Sequence, residues 1–198
     1  ENVVDPIDKI KTDRAEARKL SDPNADTCFL ALADKNGQAS VRTLVLREIG
    51  DRHFVLFLNR TSPKWKLLEA GAGYELLIWY PSRQRQYRVQ GSLVELDSSI
   101  VNVNWLRRPQ GSKYLDYVYQ EMAPQSSKLN NRQQLVEEVQ RLKQVYKIDE
   151  MHAPTAVGGV QLVASRIEML DLNRDDRIHD RQLFTFADGQ WAAQVLVP

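Results

Sequence analysis

Cysteine is nearly missing from this 198-residue chain: Cys28 stands alone. No intrachain disulfide can form, and the residue, inside the apolar stretch Thr27 to Ala33, is expected to be a buried small hydrophobe. Charge of one sign is also lacking. The 27 Lys and Arg balance 26 Asp and Glu to a net +1, which argues against a nucleic-acid or acidic-membrane binder. No apolar run approaches the roughly 18 residues of a membrane span, and the N-terminus shows no signal-peptide pattern. A soluble, reducing setting, the cytoplasm, is the expectation. There is no GxGxxG after a strand, no Walker-type glycine loop and no Cys/His cluster with metal-ligand spacing. The three histidines, His53, His152 and His179, lie far apart, and no nucleophile elbow is present. Redox chemistry would need a cofactor held without a Rossmann fingerprint, and no metal is expected.

What is present is an ordinary globular composition, 42% hydrophobic and 27% charged, in a length that suits one domain over residues 1–198. A charged helix is expected over about residues 5–21, stopped at Ser21-Asp22-Pro23. Strand-like segments follow at Thr27 to Ala33 and Ala39 to Arg47, joined by the hairpin signal Lys35-Asn36-Gly37. Further strands are read at His53 to Leu58, Tyr74 to Tyr80 and Gln86 to Leu96, with a short helix from about Pro63 to Ala70. A helical insertion spans about residues 98–146, in which Leu135, Val139, Leu142 and Tyr146 share one helical stripe. Val160 to Leu172 and Leu183 to Val197 return to sheet. Hairpin-packed strands interrupted by helices, without βαβ alternation, predict an α+β fold: an antiparallel barrel with peripheral helices.

Five segments carry candidate chemistry. In Arg177-Ile178-His179-Asp180-Arg181, an extended backbone would place Arg177, His179 and Arg181 on one face. Three such groups repel unless an anion sits among them; the alternative is a charged edge strand that discourages aggregation. In Asn59-Arg60-Thr61-Ser62-Pro63-Lys64, Ser62 is a good N-cap and Pro63 fits the first helical position. Free N–H groups flanked by Arg60 and Lys64 would cradle a phosphate, or the segment is an ordinary capped helix. Arg42-Thr43-Leu44-Val45-Leu46-Arg47 reads as a central strand ending in arginines. Gln84, Gln86, Arg88 and Gln90 share a face whose amides suit a heterocycle with alternating donors and acceptors, or face solvent. Arg107-Arg108-Pro109-Gln110-Gly111-Ser112, with Gln125-Ser126-Ser127 beyond it, is either a ligand loop or a plain one.

Taken in order from Ser21 to Pro198, these segments resemble the pyridoxamine 5′-phosphate oxidases and their FMN-binding split-barrel relatives. The most specific match is Arg177-Ile178-His179-Asp180-Arg181 preceded by Ile167-Glu168. The resemblance implies an antiparallel FMN-binding split β-barrel and an FMN site at Arg42, Thr43, Leu44, Val45, Arg47, Phe57, Leu58, Ser62, Pro63, Lys64, Gln86, Gln125, Ser126 and Arg181. In it, Arg42 and Lys64 would meet the FMN phosphate, and Gln86, Gln125 and Ser126 would surround the flavin and its ribityl chain. It also implies a substrate site at Arg47, Asn104, Arg108, Ser112, Arg177 and His179. There Arg108 and Ser112 would hold the substrate phosphate, and Arg177 and His179 would carry the catalytic role. A homodimer with shared sites and a small-molecule substrate such as pyridoxamine or pyridoxine 5′-phosphate come with it. Hydride would then pass from substrate to FMN, with reoxidation by dioxygen. The chain departs from the family pattern at Arg47, usually lysine; Asn104, usually tyrosine; Leu170, usually tryptophan; and Pro63, usually arginine. These departures keep open an FMN-dependent reductase or oxidase of another small molecule, or a non-catalytic flavin-binding protein.

Overall fold

The computed structural model describes residues 3–172 and 174–198. Helix α1 (Pro6–Lys19) starts where Asp5 accepts a hydrogen bond from the Ile7 N–H at 2.8 Å and Pro6 occupies the first turn. Arg18 and Lys19 in its last turn complement the helix dipole. The helix buries Ile7, Ile10, Arg14 and Ala17 at helical spacing, and Asp13 beside them. Strand β1 (Thr27–Ala33) alternates as a half-buried strand should, with Cys28, Leu30 and Leu32 inward. Burial pushes the Cys28 thiol up to about 12, which leaves it an unreactive core group.

Strand β2 (Ala39–Val45) pairs antiparallel with β1, in register from Thr27 opposite Val45 to Ala33 opposite Ala39. The loop between them forms as expected: Gly37 takes φ +76, and the Asp34 carboxylate accepts from the N–H groups of Asn36 and Gln38. Strands β3 (Glu48–Ile49) and β4 (His53–Asn59) are joined by a tight turn, and helix α2 (Pro63–Glu69) follows. Then come β5 (Gly73–Tyr80), β6 (Arg85–Glu95), helices α3 (Ser98–Leu106), α4 (Gln110–Glu121) and α5 (Arg132–Val145), and strands β7 (Val157–Asp171), β8 (Asp180–Ala187) and β9 (Gln190–Leu196). The strand order is β2-β1-β5-β6-β7-β4-β3, with β8 and β9 added beside β7. Every pairing whose register is described is antiparallel, so the expected α+β class holds. The helical insertion is present as α3, α4 and α5.

Two details differ from expectation. The Leu183–Val197 run is a hairpin, because Asp188 and Gly189 both adopt positive φ (52° and 78°) and reverse the chain between β8 and β9. Arg177 is not extended: its φ is +65°, and β8 begins only at Asp180. A left-handed residue breaks side-chain alternation, so the one-face reading of Arg177, His179 and Arg181 does not hold.

The chain divides into two compact units, one of residues up to Leu56 with Ala72–Val94 and Gln161–Pro198, the other of Phe57–Gly71 with Glu95–Val160. In the first, β6 approaches β7 so closely that a Cβ on Gly91 would lie 1.9 Å from the Val163 carbonyl oxygen; only glycine fits there. Asp13 accepts two hydrogen bonds from Arg85 at 2.9 Å and one from the Tyr87 hydroxyl, which pins α1 to β6. In the second, Tyr117 packs between Trp105 and Tyr146, and α5 contributes Leu142 as its one fully buried residue. No helix among the described residues is long and apolar enough to cross a membrane.

Candidate functional site

Within the first unit, β2 carries Arg42, Thr43, Leu44 and Val45. Thr43 and Val45 share the exposed face with Val41, while Arg42 and Leu44 turn to the other side, half-buried. The Arg42 guanidinium donates to the Leu30 and Ser40 carbonyls (3.3 and 3.2 Å) and to Ser40 Oγ (2.9 Å). Burial lowers its pKa. Arg47, one residue past buried Leu46, is exposed. Gln86 lies opposite Trp79 and lines a groove of about 250 Å³ with Phe29, Val41, Leu77 and Arg88. Arg88 donates to Glu75 at 2.8 Å and approaches Glu168 at 3.4 Å. Arg181 meets the same Glu168 at 2.7 Å and donates to the Val197 carbonyl at 3.2 Å. Gln86 and Arg181 therefore belong to one connected patch through Arg88 and Glu168. Arg177 is exposed and His179 half-buried, just before β8.

Within the second unit, Phe57 and Leu58 lie towards the end of β4, and Asn59, its final residue, leads into a polar turn. Asn59 Oδ1 accepts from the Thr61 N–H (2.9 Å) and hydroxyl (2.6 Å). Thr61 Oγ1 accepts from the Gln125 N–H at 2.9 Å, and Gln125 Oε1 accepts from Lys64 Nζ at 3.1 Å. Asn59 Nδ2 reaches the Asp116 carboxylate at 3.4 Å, which also accepts from Trp105 Nε1 at 2.9 Å and from Arg108. One hydrogen-bond chain thus runs Lys64–Gln125–Thr61–Asn59–Asp116–Arg108. Ser62, fully buried, caps α2 by accepting from the Trp65 N–H, with Pro63 exposed in the first turn. At seven residues, with this N–H taken, α2 is a self-capped turn more than an open cradle. Ser126, beside Gln125, is held at φ +73°, and a non-glycine residue there marks a locally constrained segment. Asn104 donates to the Ile100 carbonyl at 3.1 Å, and Ser112 is half-buried at the start of α4.

The family model for pyridoxamine 5′-phosphate oxidase matches residues 14–146. The chain belongs to the pyridoxamine 5′-phosphate oxidase family. It is similar to the pyridoxine/pyridoxamine 5′-phosphate oxidase of a Synechocystis strain, at 31% identity over 93% of this chain and 83% of the relative. The enzyme of the same name from Pseudomonas putida W619 is 30% identical over 93% and 84%. Among solved structures, PhzG from Burkholderia lata, in complex with tetrahydrophenazine-1-carboxylic acid, superposes with TM-score 0.84 at 22% identity, covering 98% of this chain and 93% of PhzG. A pyridoxamine 5′-phosphate oxidase-related, FMN-binding protein from Nostoc punctiforme gives 0.77 at 17% identity over the whole of both chains. The split-barrel fold is thereby shown.

In this oxidase-family chain, several residues that touch the candidate groups were not among the sequence candidates. Asp116 is the hub of the second unit's chain. Burial and the Asp116 charge push the Tyr119 phenol up, with Gln125 and the Arg108 charge acting the other way. The only sequence sign of Asp116 is an acid inside the aromatic run Tyr114 to Tyr119, where a buried charge needs partners. Glu168 was read as a motif residue without a role; it is buried amid Arg88, Arg166 and Arg181. Burial works to raise its carboxyl, but the Arg181 hydrogen bond and the charges of Arg88 and Arg181 outweigh it and hold the pKa below 4.5. With a depressed folded-state pKa, Glu168 stabilises the fold fully above pH 4.5 and loses that contribution as pH falls through the lower folded value. Thermal melts between these limits should fall less steeply with acid in Glu168→Gln than in the parent chain. Identical slopes would remove Glu168 from the acid response.

Proposed function

We propose that this chain is an FMN-dependent oxidoreductase that takes hydride from a small, flat heterocyclic substrate and works as a homodimer. The observation that carries the reading is the hydrogen-bond chain from Lys64 through Gln125 to Arg108, in a member of the pyridoxamine 5′-phosphate oxidase family. The donor chemistry fits the cofactor: cations suit a phosphate, and amides offer both donor and acceptor to an isoalloxazine edge and ribityl hydroxyls. In the first unit the residues assigned to FMN are Arg42, Thr43, Leu44, Val45, Arg47, Gln86 and Arg181. In the second they are Phe57, Leu58, Ser62, Pro63, Lys64, Gln125 and Ser126. When bound, FMN supplies a two-electron acceptor that dioxygen or another oxidant regenerates. The protein's own part is orientation: Arg177 and His179 hold the substrate ring, and proximity provides most of the acceleration.

The exposed sheet face bearing Val41 (68% exposed) and Val45 (51%), with Phe29 and Leu77 beside them, supports the dimer, because a second copy would cover it. The names of the relatives favour pyridoxine or pyridoxamine 5′-phosphate as substrate. Asn104, turned onto its own helix, favours the second reading, another small molecule on the same scaffold. Anaerobic mixing of FMN-loaded protein with pyridoxamine 5′-phosphate, then with a reduced phenazine carboxylic acid, then with NAD(P)H, separates these. Bleaching of the flavin band by one of them identifies the donor class. Protein that takes up no flavin absorbance when FMN is added would sink the proposal.

A further inference from the structure

We propose that Asp116 is a built-in counter-ion that occupies Arg108, and that the substrate selected here carries no phosphate group. The inference rests on the oxidoreductase reading for the placement of the substrate at Arg108. Asp116 is 3% exposed, and its carboxylate is fixed by Trp105 Nε1 at 2.9 Å and Asn59 Nδ2 at 3.4 Å besides Arg108. A carboxylate anchored by three donors cannot swing away when a ligand arrives. The pair is neutral in sum, so a phosphate dianion drawn to Arg108 would also confront the Asp116 charge in a poorly screened setting.

Two neighbouring groups are engaged within the fold as well. Lys113 is buried, donates to the Leu106 carbonyl at 2.7 Å and lies 5.2 Å from the centre of the Trp105 ring. Asn104 spends its amide N–H on Ile100. Burial raises the Asp116 carboxyl overall, and the Arg108 charge is the largest influence holding it ionised against that rise, so the counter-ion role rests on the contact with Arg108 itself. A flat heterocycle without a phosphate ester meets none of this repulsion.

The test compares retention of pyridoxine 5′-phosphate and pyridoxine in equilibrium dialysis against FMN-supplemented protein, with free ligand measured by chromatography. The parent chain should retain the ester no better than about threefold over the alcohol, and Asp116→Asn should raise that ratio at least about tenfold by removing the charge while keeping the shape. Arg108→Gln leaves the Asp116 charge uncompensated and should bring the ratio no higher than the parent's, and the parent ratio read against it decides the matter should Asp116→Asn fail to fold. The proposal is overturned by a parent preference for the ester of about tenfold or more that Arg108→Gln abolishes, or by an unchanged ratio in folded Asp116→Asn. FMN uptake is followed separately by absorbance. Its absence would end the flavin reading while the ligand ratio still reports on Arg108 and Asp116.

Discussion

Asp13→Ala should destabilise the protein by about 3–5 kcal/mol, the range for breaking a buried ion pair by removing one partner. Asp13 is 2% exposed, yet it sits on α1 among Ile7, Ile10 and Ala17. It accepts two bonds from Arg85 and one from the Tyr87 hydroxyl, with Arg83 at 3.4 Å. Burial drives the Tyr87 phenol up, and its hydrogen bond to Asp13 adds to the shift. Without the carboxylate, the buried Tyr87 hydroxyl loses the acceptor it bonds, and Arg85 keeps its contact with Asp171 at 2.7 Å. Leaving such groups unpaired costs more than the lost bonds alone. For a chain of this length the change corresponds to a fall in Tm of roughly 6–20 °C. Asp13→Asn should cost less, because its amide still accepts from Arg85. Denaturant titration of the three proteins checks the order, and a loss below about 1 kcal/mol in Asp13→Ala would show that α1 is held by its apolar stripe alone.

The same helix shows where sequence reading succeeds and where it stops. Its span and its stop before Pro23 follow from local rules, and so do β1, β2 and the Asn36-Gly37 turn, because φ, capping and alternation are decided within a few residues. That Asp13 would be buried could not be seen, since its partners Arg85 and Tyr87 lie more than one strand away in the chain. Arg177 illustrates the opposite error. Alternation assigns it a face only if the backbone is extended, and a left-handed φ at an arginine has no sequence mark comparable to Asn-Gly. Asp188-Gly189 did have such a mark, but the apolar residues around it masked the turn within one long run. Among the candidate residues, Lys64 with Gln125 and Gln86 with Arg181 were legible as ordered motifs. Asp116, which decides what Arg108 can do, is set by tertiary packing against Trp105 and Asn59. The residues that touch a ligand have characteristic chemistry, while those that position or neutralise them are ordinary until the fold brings them together.

Lys64→Ala should weaken FMN binding by about 1.5–3 kcal/mol, the range for a charge-assisted hydrogen bond, or roughly 10–150-fold in Kd. Lys64 stands in the first turn of α2, and its ammonium already donates to Gln125 Oε1 at 3.1 Å. That contact steadies a long side chain which would otherwise lose rotamer entropy on meeting a phosphate. Gln125→Ala should therefore weaken FMN as well, but by less, about 0.5–1.5 kcal/mol, since it removes a neutral partner. The double variant should lose less than the sum, because the two groups act through one contact. Neither change should move the melting temperature of the FMN-free protein much, as Lys64 is only half-buried. Quenching of flavin fluorescence on titration of FMN with each variant measures the affinities. If Lys64→Ala binds FMN within about twofold of the parent, the phosphate is held elsewhere and Arg42 becomes its first alternative. If instead the FMN-free Lys64→Ala protein unfolds at markedly lower temperature, the Lys64–Gln125 contact is a structural tie between α2 and the segment after α4, and the flavin measurement reads that tie.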